Sequence, residues 1–169
     1  MPLFARRTPL PASVRSALEL ARTDRIIASA EITDGWAIAT RLALYLSDAG
    51  AEVRRRPWGD VDRASLDPET ATVTVVWVDG RTEHLHLVDN RRPGFARAMH
   101  ERVQSSVVHA ETVPLPGGGQ VRVALRRDEA GELFSQVTGK GRVDLTDPAV
   151  AVLVDAAEAR VRGAAGLPR

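Results

Sequence analysis

Four groupings in this 169-residue chain hold side chains capable of chemistry: two histidines, two aspartates, a serine–histidine cluster and an arginine run. His84 and His86 stand two apart, the spacing at which a strand presents both imidazoles on one face. That arrangement offers two nitrogens to a divalent ion and leaves the rest of its shell to water. Glu83 and Leu85 point the other way and His100 and His109 are remote in sequence, so a polar outer face is the simpler reading. Asp60 and Asp62 lie beside Trp58 and, with His84, are all that a small-molecule enzyme would have to work with. Capping or ending a strand is their plainer role. Ser105, Ser106 and His109 lack a nucleophile elbow or an oxyanion-forming glycine context. Gly139-Lys140-Gly141 lacks the spacing and downstream Ser/Thr of a phosphate-binding loop. These residues imply no catalytic site, no metal site and no cofactor, and the expectation is a chain that is not an enzyme.

Arginine is the remaining resource. Lys140 is the single lysine beside 22 arginines, and the formal net charge is only +1. No global field therefore draws the chain to DNA or to a lipid surface. Local contacts with phosphate remain open, because a guanidinium fork matches phosphate oxygens. Arg54, Arg56, Arg91 and Arg92 are the candidate anion contacts, with Arg6 and Arg7 near the start. Strand alternation puts Arg54 and Arg56 on one face and Arg55 on the other. A charged edge strand that resists edge-to-edge pairing explains the same run. Cysteine is absent, which removes disulfides and thiol chemistry. Aromatic residues make up 4% of the chain, too few for the stacking platforms of single-stranded nucleic-acid binders. Trp36, Trp58 and Trp77 are accordingly read as core packing rather than as a groove lining.

The elements that must position these groups follow from periodicity. A short helix is expected over 12–21, where Val14, Leu18 and Ala21 recur at helical spacing. From Arg25 the period changes to two, and short strands follow over 26–32, 36–40, 42–46, 52–56, 58–66, 71–77 and 82–88. Asp34-Gly35, Ser47-Asp48-Ala49-Gly50 and Asp67-Pro68-Glu69-Thr70 supply turns. A helix over 93–105 carries Phe95, Met99 and Val103 on one stripe. Three further strands are expected over 107–115, 120–127 and 132–138, then a helix over 147–162 with Thr146 as its N-cap. Arg15, Glu19 and Arg22 interrupt any apolar leader, and no run reaches the roughly 20 residues of a membrane helix, so a cytoplasmic location is expected.

Residues 25 to about 106 resemble the bacterial pleckstrin-homology-like domains, close in pattern to the GRAM type. The likeness is carried by Trp36-Ala37-Ile38-Ala39-Thr40 leading into Arg41-Leu42-Ala43-Leu44-Tyr45-Leu46, and by Arg56-Pro57-Trp58-Gly59-Asp60-Val61 entering the next strand. Such a resemblance implies an α+β chain with a bent, seven-stranded antiparallel barrel capped by a helix, used for binding. The expected organisation is an N-terminal segment over 1–24, a PH-like domain over 25–108 and a βββα extension over 109–169. Arginine-for-lysine usage and abundant alanine fit a GC-rich, actinobacterial genome. In lipid-binding members of the wider superfamily a basic first loop holds phosphates. Here that loop is Thr33-Asp34-Gly35, acidic and short. The expected function is thus binding of a protein partner through a strand edge or the groove beside the helix. The alternative is peripheral binding of anionic lipid or RNA through the surface arginines.

One register can be settled from the pattern. A two-residue Asp79-Gly80 turn would put Val73, Val75 and Trp77 on the face of His84 and His86. A three-residue loop with Gly80 in the left-handed position pairs Trp77 with Arg81 and matches them to Leu85 and Leu87 instead. The apolar pattern selects the second. Trp77→Ala is then expected to cost roughly 3–5 kcal/mol, and His84→Ala or His86→Ala each less than about 0.5 kcal/mol. Denaturant melts check this; costly histidine changes beside a cheap tryptophan change would mean the faces are exchanged.

Overall fold

The computed structural model describes residues 9–48, 52–89, 94–139 and 143–167. Chain order is α1 (Ala12–Ala17), β1 (Ile26–Ile32), β2 (Gly35–Thr40), β3 (Ala43–Asp48) and β4 (Val53–Pro57). A 3-10 turn (Trp58–Asp60) leads to β5 (Val61–Asp67), β6 (Thr72–Trp77), β7 (Thr82–His86) and α2 (Gly94–Ser106). The rest comprises β8 (Val107–Pro114), β9 (Gln120–Arg127), β10 (Leu133–Gly139) and α3 (Pro148–Ala164). The strands form three antiparallel sheets, β1-β2-β3-β4, β5-β6-β7 and β10-β9-β8. The chain is α+β and built mostly of strands.

Alternation explains where the cores lie. Ala37, Ala39, Leu44 and Leu46 from the first sheet meet Val61, Val73, Val75, Trp77 and Leu85 from the second, and Phe95, Met99 and Val103 of α2 complete this core. The opposite face of β2 and β3 is also covered. Trp36, Ile38, Ala43 and Tyr45 form a separate cluster with Leu18, against which Leu10 and Val14 pack. Burial on both faces is why β2 and β3 read as nearly continuous apolar runs; each such large side chain taken from water contributes about 1.5–3 kcal/mol. The three tryptophans are thus core residues of two different clusters and line no common groove.

Several expectations shift for local physical reasons. The first helix ends at Ala17 rather than Ala21, because Leu18 turns into the outer cluster at 2% exposure and Glu19 takes a φ of +44°, which no α-helix continues. A bulge between Ile26 and Ala28 moves Ile26 to the outer cluster while Ala28, Ala30 and Ile32 keep to the inner one. Thr146 is not the cap of α3. Its own N–H and hydroxyl go to the Asp144 carboxylate, and Asp147 caps the helix by accepting from the Ala149 N–H at 2.9 Å.

The hairpin has the three-residue loop. The Trp77 N–H donates to the Arg81 carbonyl at 2.9 Å, Gly80 sits at φ +85°, and Val73 pairs with Leu85. His84 and His86 face outward beside Thr74 and Thr72, at 3.2 and 3.0 Å. Gly35 answers a tighter demand at the β1–β2 turn. It lies at φ +150°, and a Cβ there would fall 1.8 Å from the Ser47 carbonyl oxygen.

Among the described residues no closed barrel forms. There the first two sheets share backbone pairing only at the Ile32–Leu87 bridge, flanked by Thr33 N–H to His86 carbonyl and Val88 N–H to Glu31 carbonyl. Between β4 and the β6–β7 hairpin, side chains make the connection. Arg54 reaches Glu83 at 2.7 Å, and the Arg56 guanidinium stands over the Trp77 ring at 5.3 Å. The β8-β9-β10 sheet carries its own core under α3, formed by Val113, Val121, Val123, Leu125, Val150, Val154, Ala157 and Val161.

Candidate functional site

Strand β9 is apolar on one face and polar on the other. Val121, Val123 and Leu125 turn toward α3, which leaves Arg122, Ala124 and Arg126 on the opposite side. That side is not solvent. It lies against the 3-10 turn and the start of β5, and Arg126 there is fully buried. Its Nη1 donates to the Gly59 carbonyl at 2.8 Å and to Gln136 Oε1 at 2.9 Å, while Nη2 donates to the Val61 carbonyl at 2.7 Å. The Gln136 amide donates to the same Gly59 carbonyl at 3.0 Å. Burial pulls the guanidinium below its ordinary pKa and neighbouring Arg122 adds to this, opposed by the fields of Asp62 and Asp60. Its Nε is buried without a hydrogen-bond partner among the described residues.

Further polar contacts extend this seam in both directions. A bulge between Val61 and Arg63 re-aims Asp62, whose carboxylate meets Arg122 at 3.4 Å and the Thr138 hydroxyl at 3.3 Å. On the outer face of β4, Arg55 reaches Glu129 in the β9–β10 turn at 2.6 Å and Tyr45 at 3.1 Å. The Glu129 hydrogen bond raises the Arg55 pKa above its ordinary value. A Cβ on Gly59 would stand 3.2 Å from the Phe134 ring, so the bare glycine lets that ring close on the turn.

Two open clefts flank the seam. The first, of about 860 Å³, lies between the end of α2, the Trp58–Asp60 turn and the β9–β10 hairpin. Arg41, Arg102 and Arg127 reach it from three different elements, beside Ser105, Ser106 and Phe134. The second, of about 810 Å³, lies between the β6–β7 hairpin and β9–β10 and holds Asp62, Arg81, Arg122 and Thr138.

The residues singled out from sequence fall as follows. Asp60 lines the first cleft within 3.7 Å of Arg56, Asp62 lines the second, and His84 lines neither, so the three are not brought together. Ser105 and Ser106 donate to the carbonyls of Arg102 and Val103, while His109 lies out on β8. Among the described residues no group of three or more His, Asp or Glu side chains could hold a metal ion. Arg54 and Arg56 share a face, as alternation requires, and both are engaged within the fold. The Glu83 hydrogen bond raises the Arg54 pKa. Arg6, Arg7, Arg91 and Arg92 lie outside the described residues. Sequence reasoning missed Arg126, Gln136 and the three cleft arginines. Ala124, a small residue midway between Arg122 and Arg126, was the one sign that a layer packs closely over that face. Comparison with protein-family models, curated proteins and solved structures finds no match to this chain.

The seam and its rim should respond differently to mutation. Gln136→Leu removes an acceptor of Arg126 and a donor to Gly59, and is expected to cost about 1–3 kcal/mol. Glu129→Gln breaks an exposed ion pair and should cost no more than about 1 kcal/mol. Urea melts of the two variants check the ranking, which equal costs would refute.

Proposed function

We propose that the chain is a non-enzymatic, cytoplasmic protein-interaction module on a PH-like frame, and that the cleft at the end of α2 is where its partner docks. Chain order supports the frame: a four-stranded sheet, a three-stranded sheet and a helix in succession, packed around one core. The cleft carries the docking assignment, because it is the groove beside that helix, deepened by the β9–β10 hairpin into an open trough of about 860 Å³. Grooves of this kind accept peptide segments with few special residues. No described helix is long and apolar enough to cross a membrane. Of the arginines that a lipid or RNA reading would use, the two described ones, Arg54 and Arg56, are engaged by Glu83, Asp60 and Trp77.

Ser105 is exposed and lines the cleft, so Ser105→Trp fills the trough without entering a core. Val152 on α3 is 66% exposed and serves as the distant control. Affinity capture from native lysate should recover the same partner with the wild type and Val152→Trp, and lose it with Ser105→Trp. Failure to recover a reproducible partner, or equal recovery by all three, contradicts the reading.

A further inference from the structure

The cleft has a charge pattern that its role as a groove does not require. Two of its three acidic residues face an arginine of the fold, and the third is held by its own turn. Glu129 is taken by Arg55 at 2.6 Å, and Asp60 stands 3.7 Å from Arg56. Asp128 accepts from the backbone N–H groups of Ala130 and Glu132, each at 2.9 Å, and so holds the β9–β10 turn. The cleft arginines are far less occupied. Arg41 spends only its Nε, on the Thr23 carbonyl at 3.1 Å. Arg127 spends one Nη1 bond, to the Gly131 carbonyl at 2.9 Å. Arg102, half-buried on α2, makes no hydrogen bond or ion pair from its guanidinium among the described residues. Each guanidinium carries five N–H donors, so most of the donors facing this trough are unspent. The buried Arg126 adds a fourth positive charge behind Gly59 and Gln136, which themselves line the cleft.

We infer that this cleft binds an acidic peptide segment, its carboxylates bridging Arg41, Arg102 and Arg127. The inference rests on the reading of the chain as a protein-binding module and supplies the chemistry of the partner. Guanidinium forks are matched to carboxylates. Their placement on three separate parts of the chain around one open cleft lets more than one carboxylate of the same segment be met. A single-stranded nucleic acid would also supply negative charge, but it needs aromatic faces for its bases. Of the two aromatic rings among the described residues here, Trp58 is buried and spends its Nε1–H on the Thr40 carbonyl at 3.1 Å, leaving Phe134.

Fluorescence anisotropy on the full chain tests this with labelled oligoglutamate, oligoglutamine and oligouridine. Oligoglutamate should bind at low salt and weaken steeply as salt is raised, and oligoglutamine should not bind. Arg102→Glu should weaken oligoglutamate at least tenfold, or about 1.4 kcal/mol. Arg97→Glu makes the same change of charge on the same helix, but at a side chain 79% exposed and outside the cleft, and should leave affinity within twofold. Arg102→Gln, with no new charge, serves if Arg102→Glu does not fold, and should give an intermediate loss. Absence of oligoglutamate binding overturns the inference, as do equal losses at Arg97 and Arg102 or tighter binding of oligouridine. If that happens while Ser105→Trp still abolishes partner capture, the acidic chemistry fails and the docking cleft stands. If oligoglutamate binds as described and Ser105 has no effect on capture, it is the module reading that fails.

Discussion

Arg126 is fully buried, where an arginine is rarely found unless its charge is met, and the way its charge is met governs how the two halves of the chain sit together. Removing a guanidinium from water costs several kcal/mol even after the protein relaxes around it. No carboxylate among the described residues touches it. Its compensation comes from the carbonyls of Gly59 and Val61 and from Gln136, with Asp60 and Asp62 contributing at longer range. Hydrogen bonds to a charged group are worth about 1.5–3 kcal/mol each, so three of them offset a penalty of that size only when all are made. The planar fork sets its donors on two nitrogens in fixed directions, so that Nη1 meets the Gly59 carbonyl and Nη2 the Val61 carbonyl.

That constraint explains why the two halves meet through polar contacts while each keeps its own apolar core. The core between the first two sheets and α2, and the core between β8–β10 and α3, are separate clusters. Between them run Arg126, Gln136, Asp62, Arg122, Thr138 and the Arg55–Glu129 pair, an arrangement that fixes position through direction rather than through area. An apolar seam would tolerate sliding; bonds to particular carbonyls do not. The clefts lie where the seam ends, so the geometry of the proposed docking trough depends on the same contacts. The bare Gly59 belongs to this device, because it admits the Phe134 ring and presents its carbonyl to both Arg126 and Gln136.

How much of this was legible follows from the range of the interactions involved. Hairpin register was readable because Leu85 and Leu87 sit within a dozen residues of Trp77 and only one pairing aligns the apolar faces. The Phe95, Met99 and Val103 stripe, the βββα ending and the sharing of a face by Arg54 and Arg56 are likewise local patterns. The burial of Arg126 is not local. Alternation with Val121, Val123 and Leu125 says only that it faces away from α3, and its partners at Gly59 and Val61 lie more than 60 residues earlier. The Arg55–Glu129 pair spans a similar distance, and Asp62 reaches the seam only through a bulge that the sequence does not announce. The cap of α3 failed on a finer point: Asp144 competes for Thr146, and the next residue takes over.

Calorimetry of Arg126→Met tests the dependence on this one side chain most directly. The usual rescue of a buried charge by an apolar replacement is blocked here, because the groups left behind are main-chain carbonyls that cannot be made apolar with it. The wild type should unfold in one cooperative transition. In the variant the β8–β10 and α3 half should separate as a second, distinct transition, with the Trp58–Val61 amides losing protection in hydrogen exchange. A single transition at the wild-type midpoint, with protection at those amides unchanged, would contradict the account.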